Sequence, residues 1–191
     1  SKDILARKFN KAGQPLTDVF RVNTDVQGDQ VDVDVSIDSN GNSVFIWDSP
    51  NLSGEGRVAA VRRYNSSGLA IDQHEIYLKS TLAPFSTKPR VEVNDDGDVV
   101  VAWRSQQFNQ NAVLAKQFSL NDAALGDDIL VGYFATTSDE WSSVDVGMRG
   151  DGQFGVVYNS QSDRTSSLVI RWFSNNGVAE ETYELVRSSI E

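Results

Sequence analysis

Cysteine is absent from the 191 residues, and histidine occurs once, at His74. Disulfides, thiolate metal sites, cysteine nucleophiles and multi-histidine cages are thereby excluded. A catalytic triad would have to use His74 alone. Long apolar runs are missing too: the longest is "VVVAW" at 99–103, far short of the ~20 residues a membrane helix needs. Positive charge is in deficit, with 17 Lys+Arg against 27 Asp+Glu and a net charge of −10. So acidic a surface repels phosphate backbones and anionic lipid, which argues against nucleic-acid partners and membrane insertion. With few prolines and no low-complexity tract, the composition is that of a globular protein. A chain of this length buries about 70% of its unfolded surface, enough for a real core. The opening "SKDILARKF" reads as a strand rather than a leader.

What the sequence has is repetition. "IDSNGNSVFIW" at 37–47, "VNDDGDVVVAW" at 93–103 and "MRGDGQFGVVY" at 148–158 place Gly41, Gly97 and Gly152 in register. Trp47, Trp103 and Tyr158 keep the same steps of 56 and 55 residues. A second marker, "LARKF", "AVRRY", "LAKQF" and "VIRWF", ends at Phe9, Tyr64, Phe118 and Phe173. Two markers at one period of about 55 establish tandem units. Each unit reads as four strands: "VDVDVSID" alternates as a half-buried strand does, "DSNGN" reverses the chain, "SVFIWDS" returns, and "RVAAVRRYN" leads to a weaker strand near "DQHEIYL".

The expected fold is therefore all-β: tandem four-stranded antiparallel blades, β-propeller-like. The reading divides the chain into a half blade at 1–30 and blades at 31–87, 88–141 and 142–191. Three and a half blades make fourteen strands. Closed propellers use four to eight blades, so the array is expected to be open or completed by oligomerisation.

The frame carried by "LARKFNKAGQPL", "VNTDVQGDQ" and "NGNSVFIWDS" resembles repeats of very large secreted or surface proteins of bacteria, which often also carry cadherin-like or RTX-type calcium-binding segments. The resemblance covers nearly the whole chain and is best in the first copy; "GDQ" becomes "DEW" at 139–141. It implies an extracellular or cell-surface location and an adhesive or architectural role. Self-association, or contact with other repeats of the same protein, follows from that role.

Several residues are candidates for more than fold. Trp47, Trp103 and Tyr158 could form a carbohydrate-stacking platform; their recurrence at matched positions favours packing between blades. The turns concentrate oxygen ligands suited to Ca²⁺: Asp38, Asn40 and Asn42 in the first, Asn94, Asp96 and Asp98 in the second. The same residues favour tight turns without an ion. No other cofactor is implied. Arg149-Gly150-Asp151 spells an integrin-type tripeptide, but turn chemistry accounts for its glycine and aspartate. Arg7, Arg62, Lys116 and Arg171 recur two places before each ring; the expectation is cross-strand pairing with acidic neighbours on a solvated face. Outside the repeat, "GYFATTSDEW" at 132–141 interleaves Tyr133, Phe134 and Trp141 with Asp139 and Glu140, a composition that suits sugars. Catalysis finds little support, since His74 sits between acidic neighbours on a weak strand and no nucleophile elbow occurs. The primary reading is a non-enzymatic structural or adhesive module. A lectin-like module that binds a cell-surface glycan comes second, and a propeller glycosidase fragment last.

Overall fold

The structure is a computed structural model that describes residues 1–51, 56–78, 85–107, 110–121, 126–134, 143–161 and 165–189. It is all-β. Strands β1 (Leu5–Ala6) and β2 (Phe20–Arg21) form a two-stranded sheet, the half blade. Blade one comprises β3 (Val31–Ile37), β4 (Ser43–Pro50), β5 (Arg57–Tyr64) and β6 (Ile76–Tyr77). Blade two comprises β7 (Phe85–Val93), β8 (Asp98–Gln107), β9 (Gln110–Ser119) and β10 (Ile129–Phe134). Blade three comprises β11 (Val144–Met148), β12 (Phe154–Gln161), β13 (Thr165–Phe173) and β14 (Ala179–Ser189). Each blade is an antiparallel meander in chain order, as the repeat predicts.

The repeated phrase is the hairpin between a blade's first two strands. In blade one the Asp38 N–H donates to Asn42 O at 3.0 Å and the Gly41 N–H to Asp38 O at 3.0 Å. Blades two and three repeat both bonds at 94–98 and 149–153. This closure needs a left-handed residue at its fourth position, and Gly41, Gly97 and Gly152 supply φ of 87°, 84° and 81°. A further irregularity repeats without being legible in the sequence. Asp32 and Lys88, 56 residues apart, take φ of 53° and 52° where the first strand slips register, between Val31 and Asp34 and between Thr87 and Arg90. Each is a β-bulge that twists the innermost strand of its blade.

Alternation sends successive side chains of the second strand to opposite seams. Val44 and Ile46 point forward onto blade two, while Trp47 points back to the half blade with Ile4, Val22, Ala60 and Tyr64. On β8, Val99, Val101 and Trp103 point back to blade one, and Val100 and Ala102 point forward to Val146, Phe154 and Tyr158. Trp47, Trp103 and Tyr158 are all buried, so the series is core. In the last seam Phe154 and Phe173 stack with centroids 4.9 Å apart. The alternating face of β3 departs from expectation: Val33, Val35 and Ile37 are exposed, because the half blade brings no first strand to cover them.

The two tryptophans differ in their polar atom. Trp47 Nε1 donates to the buried Gln30 Oε1 at 3.0 Å. Trp103 Nε1 is buried with no acceptor among the described residues. Trp47→Phe leaves Gln30 without its donor, whereas Trp103→Phe sheds an unpaired N–H. Both open similar cavities. Urea denaturation is expected to find Trp47→Phe more destabilising, by about 1 kcal/mol; equal losses would refute this account of the difference.

Candidate functional site

The acidic turns come together on one rim. The Ser39 N–H donates to Asp95 Oδ1 at 2.8 Å, tying turn one to turn two. Asn94 Nδ2 reaches Gly150 O at 3.4 Å, tying turn two to turn three. Within the turns, Asp38 takes the Asn42 N–H at 2.8 Å and Asn42 Nδ2 at 2.6 Å, one on each carboxylate oxygen. Asn94 Oδ1 accepts from the Asp96 and Asp98 N–H groups, and its Nδ2 donates to Asp98 Oδ2. Asn40 and Asp96 are exposed. Among the described residues, no three carboxylates or histidines cluster in a way that could hold a metal ion. In turn three the exposed Arg149 lies 3.7 Å from Asp151 and 3.1 Å from Gln153 Oε1, so the tripeptide's two charges face each other.

The basic series departs from surface ion pairing. Arg7, Arg62 and Lys116 each donate to the backbone carbonyl ten residues on, at Thr17, Asp72 and Gly126. Arg62 Nη1 also reaches Val22 O of the half blade at 2.5 Å, and Arg171 Nη1 reaches Val131 O of blade two at 2.5 Å. The guanidiniums of Arg7, Arg62 and Arg171 lie over Phe9, Tyr64 and Phe173, 5.5–5.7 Å from the ring centroids. Lys116 instead pairs with buried Asp128 at 2.8 Å. The physical reason is position: the residue two before the ring lies on a seam, where carbonyls of the preceding outer strand need donors.

The residue immediately before the ring reaches the other way. Lys8 Nζ donates to Ser66 O at 2.9 Å, Arg63 Nη1 to Ser119 O at 3.0 Å, and Gln117 Nε2 to Asn175 O at 3.2 Å, each in the next blade. In the last copy this residue is Trp172. Its ring lies against Gly155, where an added Cβ would meet ring carbons at 3.1 Å.

The "N-T" of the frame is also structural. Asn23 accepts the Ile4 N–H and donates to Asp3. Glu75 accepts the Thr24 hydroxyl and N–H and, at 2.7 Å, the Asp25 N–H. Burial alone would raise the Glu75 carboxyl, but these donors outweigh it and hold it below the usual range. His74 is exposed. Its neighbours are not free carboxylates: Asp72 forms a bidentate pair with buried Arg63.

Of the aromatic candidates, Tyr133 and Phe134 lie at the end of β10, opposite Ala112 and Asn111. Tyr133 is exposed on this outer strand. Asp139, Glu140 and Trp141 fall outside the described residues. A feature the sequence did not suggest is an apolar recess of about 70 Å³ between the half blade and blade one. Ala6, Arg7, Phe20, Ile37, Phe45 and Tyr64 line it.

No protein-family model matches the chain, and no curated protein matches it. Among solved structures it is similar to a glycosyl hydrolase from Bacteroides ovatus, with 12% identity and a TM-score of 0.47 over 82% of this chain and 49% of that one. It is also similar to the complex of KlAtg21 with the coiled coil of AgAtg16, with 12% identity and a TM-score of 0.37 over 94% and 63%. The chain thus spans about half the length of the first and under two thirds of the second. Neither likeness speaks to activity.

One buried acid stands apart. Asp48, next to Trp47, accepts the Lys88 N–H on Oδ2 at 3.1 Å, while Oδ1 has no partner among the described residues. Burial pushes its carboxyl up to about 7 from 3.8, against the pull of Arg57. The folded value lies above the unfolded one, so the unfolded chain releases this proton first. The contribution of Asp48 is full below pH 3.8 and is lost as pH rises toward 7. Asp48→Asn keeps an acceptor for Lys88 and removes the titration. The variant is expected to melt several degrees above wild type at pH 8, at about 2–4 °C per kcal/mol, and to converge with it at pH 4. A constant offset across the range would refute the assignment.

Proposed function

We propose that this chain is a non-catalytic structural module of the adhesive kind, an array of propeller-type repeats that works at the cell exterior by holding on to further repeats or to a surface. One observation carries the reading: the side chains that define the repeat are committed to blade-to-blade bonds. The tryptophans fill seams, Lys8, Arg62, Arg63 and Arg171 bind carbonyls of neighbouring blades, and the turn aspartates and asparagines bind their own backbone and the next turn. Such a frame stabilises an array and leaves its outer surfaces to vary. Secretion and cell-surface location enter from the resemblance of the repeat frame.

A carbohydrate-binding reading is favoured by one observation, the exposed Tyr133 ring on the outer strand of blade two. In that reading Phe134, Asp139, Glu140 and Trp141 would complete the platform.

Sedimentation across a hundredfold concentration range and binding to bacterial cell surfaces test the modular reading. Reversible association or saturable surface binding is the expected result. A monomer at every concentration that binds neither cells nor glycans would remove it. Glycan titration followed by tryptophan fluorescence separates the second reading: binding that survives both Tyr133→Ala and Trp141→Ala would dismiss the proposed platform.

A further inference from the structure

The half blade is where the repeat's own logic is unfinished. Leu5 is 64% exposed, whereas its counterparts Ala60, Leu114 and Val169 are 0%, 1% and 9% exposed. Val35 and Ile37 on blade one are 44% and 58% exposed, against 3% and 8% for Val91 and Val93 on blade two. What covers Val91 and Val93 is known from the same molecule: the β3–β4 hairpin of the preceding blade, through Val44 and Ile46 in the shared core. That hairpin also supplies hydrogen bonds, since Asp34 Oδ2 accepts the Val91 N–H at 3.0 Å and Ser36 Oγ the Val93 N–H at 3.1 Å.

The half blade has β1 and β2 but no such hairpin beside them, and β1 has a free edge among the described residues. Ile4 and Lys8 direct their backbone groups to the β2 side: Ile4 O accepts the Val22 N–H, Ile4 N–H donates to Asn23, and Lys8 O accepts the Leu16 N–H. By alternation the N–H and C=O of Leu5 and Arg7 point to the open edge. In blade one their counterparts, Ala60 and Arg62, pair with Trp47 and Phe45 of β4. The recess behind Phe45 and Ile37 adjoins this edge.

We infer that this edge and recess form an acceptor for one β-hairpin of the first-and-second-strand type, carrying Asp or Ser on its first strand and Val or Ile on its second. The hairpin adds two strands to β1 by backbone pairing and lays its apolar face on Val35, Ile37 and Phe45, as β-augmentation does. Among the described residues every hairpin of this kind is already built into a blade, so the donor is a further repeat of the same type. The inference deepens the modular reading and rests on it for its biological sense. The two fail separately, because hairpin capture leaves glycan binding and surface adhesion unmoved.

The probe is a synthetic peptide with the sequence of residues 31–50, titrated into the isotopically labelled chain and followed by amide shifts. Saturable shifts are expected around Leu5–Phe9, Val35 and Ile37. Affinity is expected to fall about tenfold or more with Val44→Asp and Ile46→Asp in the peptide, and equally with Ile37→Asp in the protein, an exposed position that leaves the fold intact. Isolated hairpins are marginally ordered in water. A second chain therefore carries a copy of residues 31–56 directly ahead of Lys2, the position matching Arg57 in the repeat, and presents the hairpin at high effective concentration. A raised melting midpoint for that chain, abolished by the same two aspartates in the copy, supports the inference even if the free peptide binds too weakly to follow. Shifts centred instead on Val157 and Trp172 would overturn it. So would absent peptide binding together with an unchanged midpoint.

Discussion

A thin antiparallel sheet with apolar residues on both faces has no stable existence in water unless each face is covered. That requirement organises this molecule. Blades one and two turn a row of Val, Ile or Ala forward and a row with a large ring backward, and the neighbouring sheet covers each. Burying a single aromatic removes 150–250 Å² from water, so the rings at Trp47, Trp103 and Tyr158 dominate seams only two side chains thick. Stability in such an array resides in nearest-neighbour interfaces rather than in any one sheet.

Seams of this kind also bury backbone groups, and the polar half of the repeat exists to satisfy them. Arg62 and Arg171 reach back to carbonyls of the previous outer strand, while Lys8, Arg63 and Gln117 reach forward to carbonyls in the next blade's outer turn. Adjacent residues thus fasten opposite seams, as Arg62 and Arg63 do in "AVRRY". Stacking on the ring keeps the guanidinium aimed while its hydrogen bonds form. Asp48 is the exception: it sits in a seam with one oxygen unpaired, and burial raises its carboxyl accordingly.

The period, the four-strand unit and the fourteen strands of the described residues were legible because they rest on local chemistry. Gly41, Gly97 and Gly152 mark a backbone conformation other residues avoid, and Trp47 and Trp103 end apolar runs long enough to be read as strands. Which acceptor a long side chain reaches was not legible. Nothing in the sequence around Arg62 marks its acceptors, and only the seam shows that one of them is Val22 O, forty residues back. The left-handed Asp32 and Lys88 gave no signal either, because neither is glycine. The alternation of "VDVDVSID" predicted a half-buried strand correctly in kind, yet whether its apolar face is covered depends on the preceding sheet, which the strand's own sequence does not encode. Of the candidate ligand platform, Tyr133 is placed on an exposed outer strand, and the residues that would complete it at 139–141 lie beyond the described structure.

The two ends of the array are not equivalent, and the difference lies in a pair of residues. At the forward face of blade three, Gly155 replaces the Val44 and Val100 of earlier blades, and Trp172 replaces the seam donors Lys8, Arg63 and Gln117. The glycine leaves room for the indole to lie on the sheet, so the last blade covers part of its forward face with its own side chain. At the backward end the opposite holds. Arg7 and Phe9 keep the seam pattern, with the guanidinium over the ring as in the interior copies, and yet Phe9 and Leu5 stand exposed. The same repeat position thus serves two ways: in the half blade it keeps the residues of an interior seam, and in blade three it lays an indole on its own sheet.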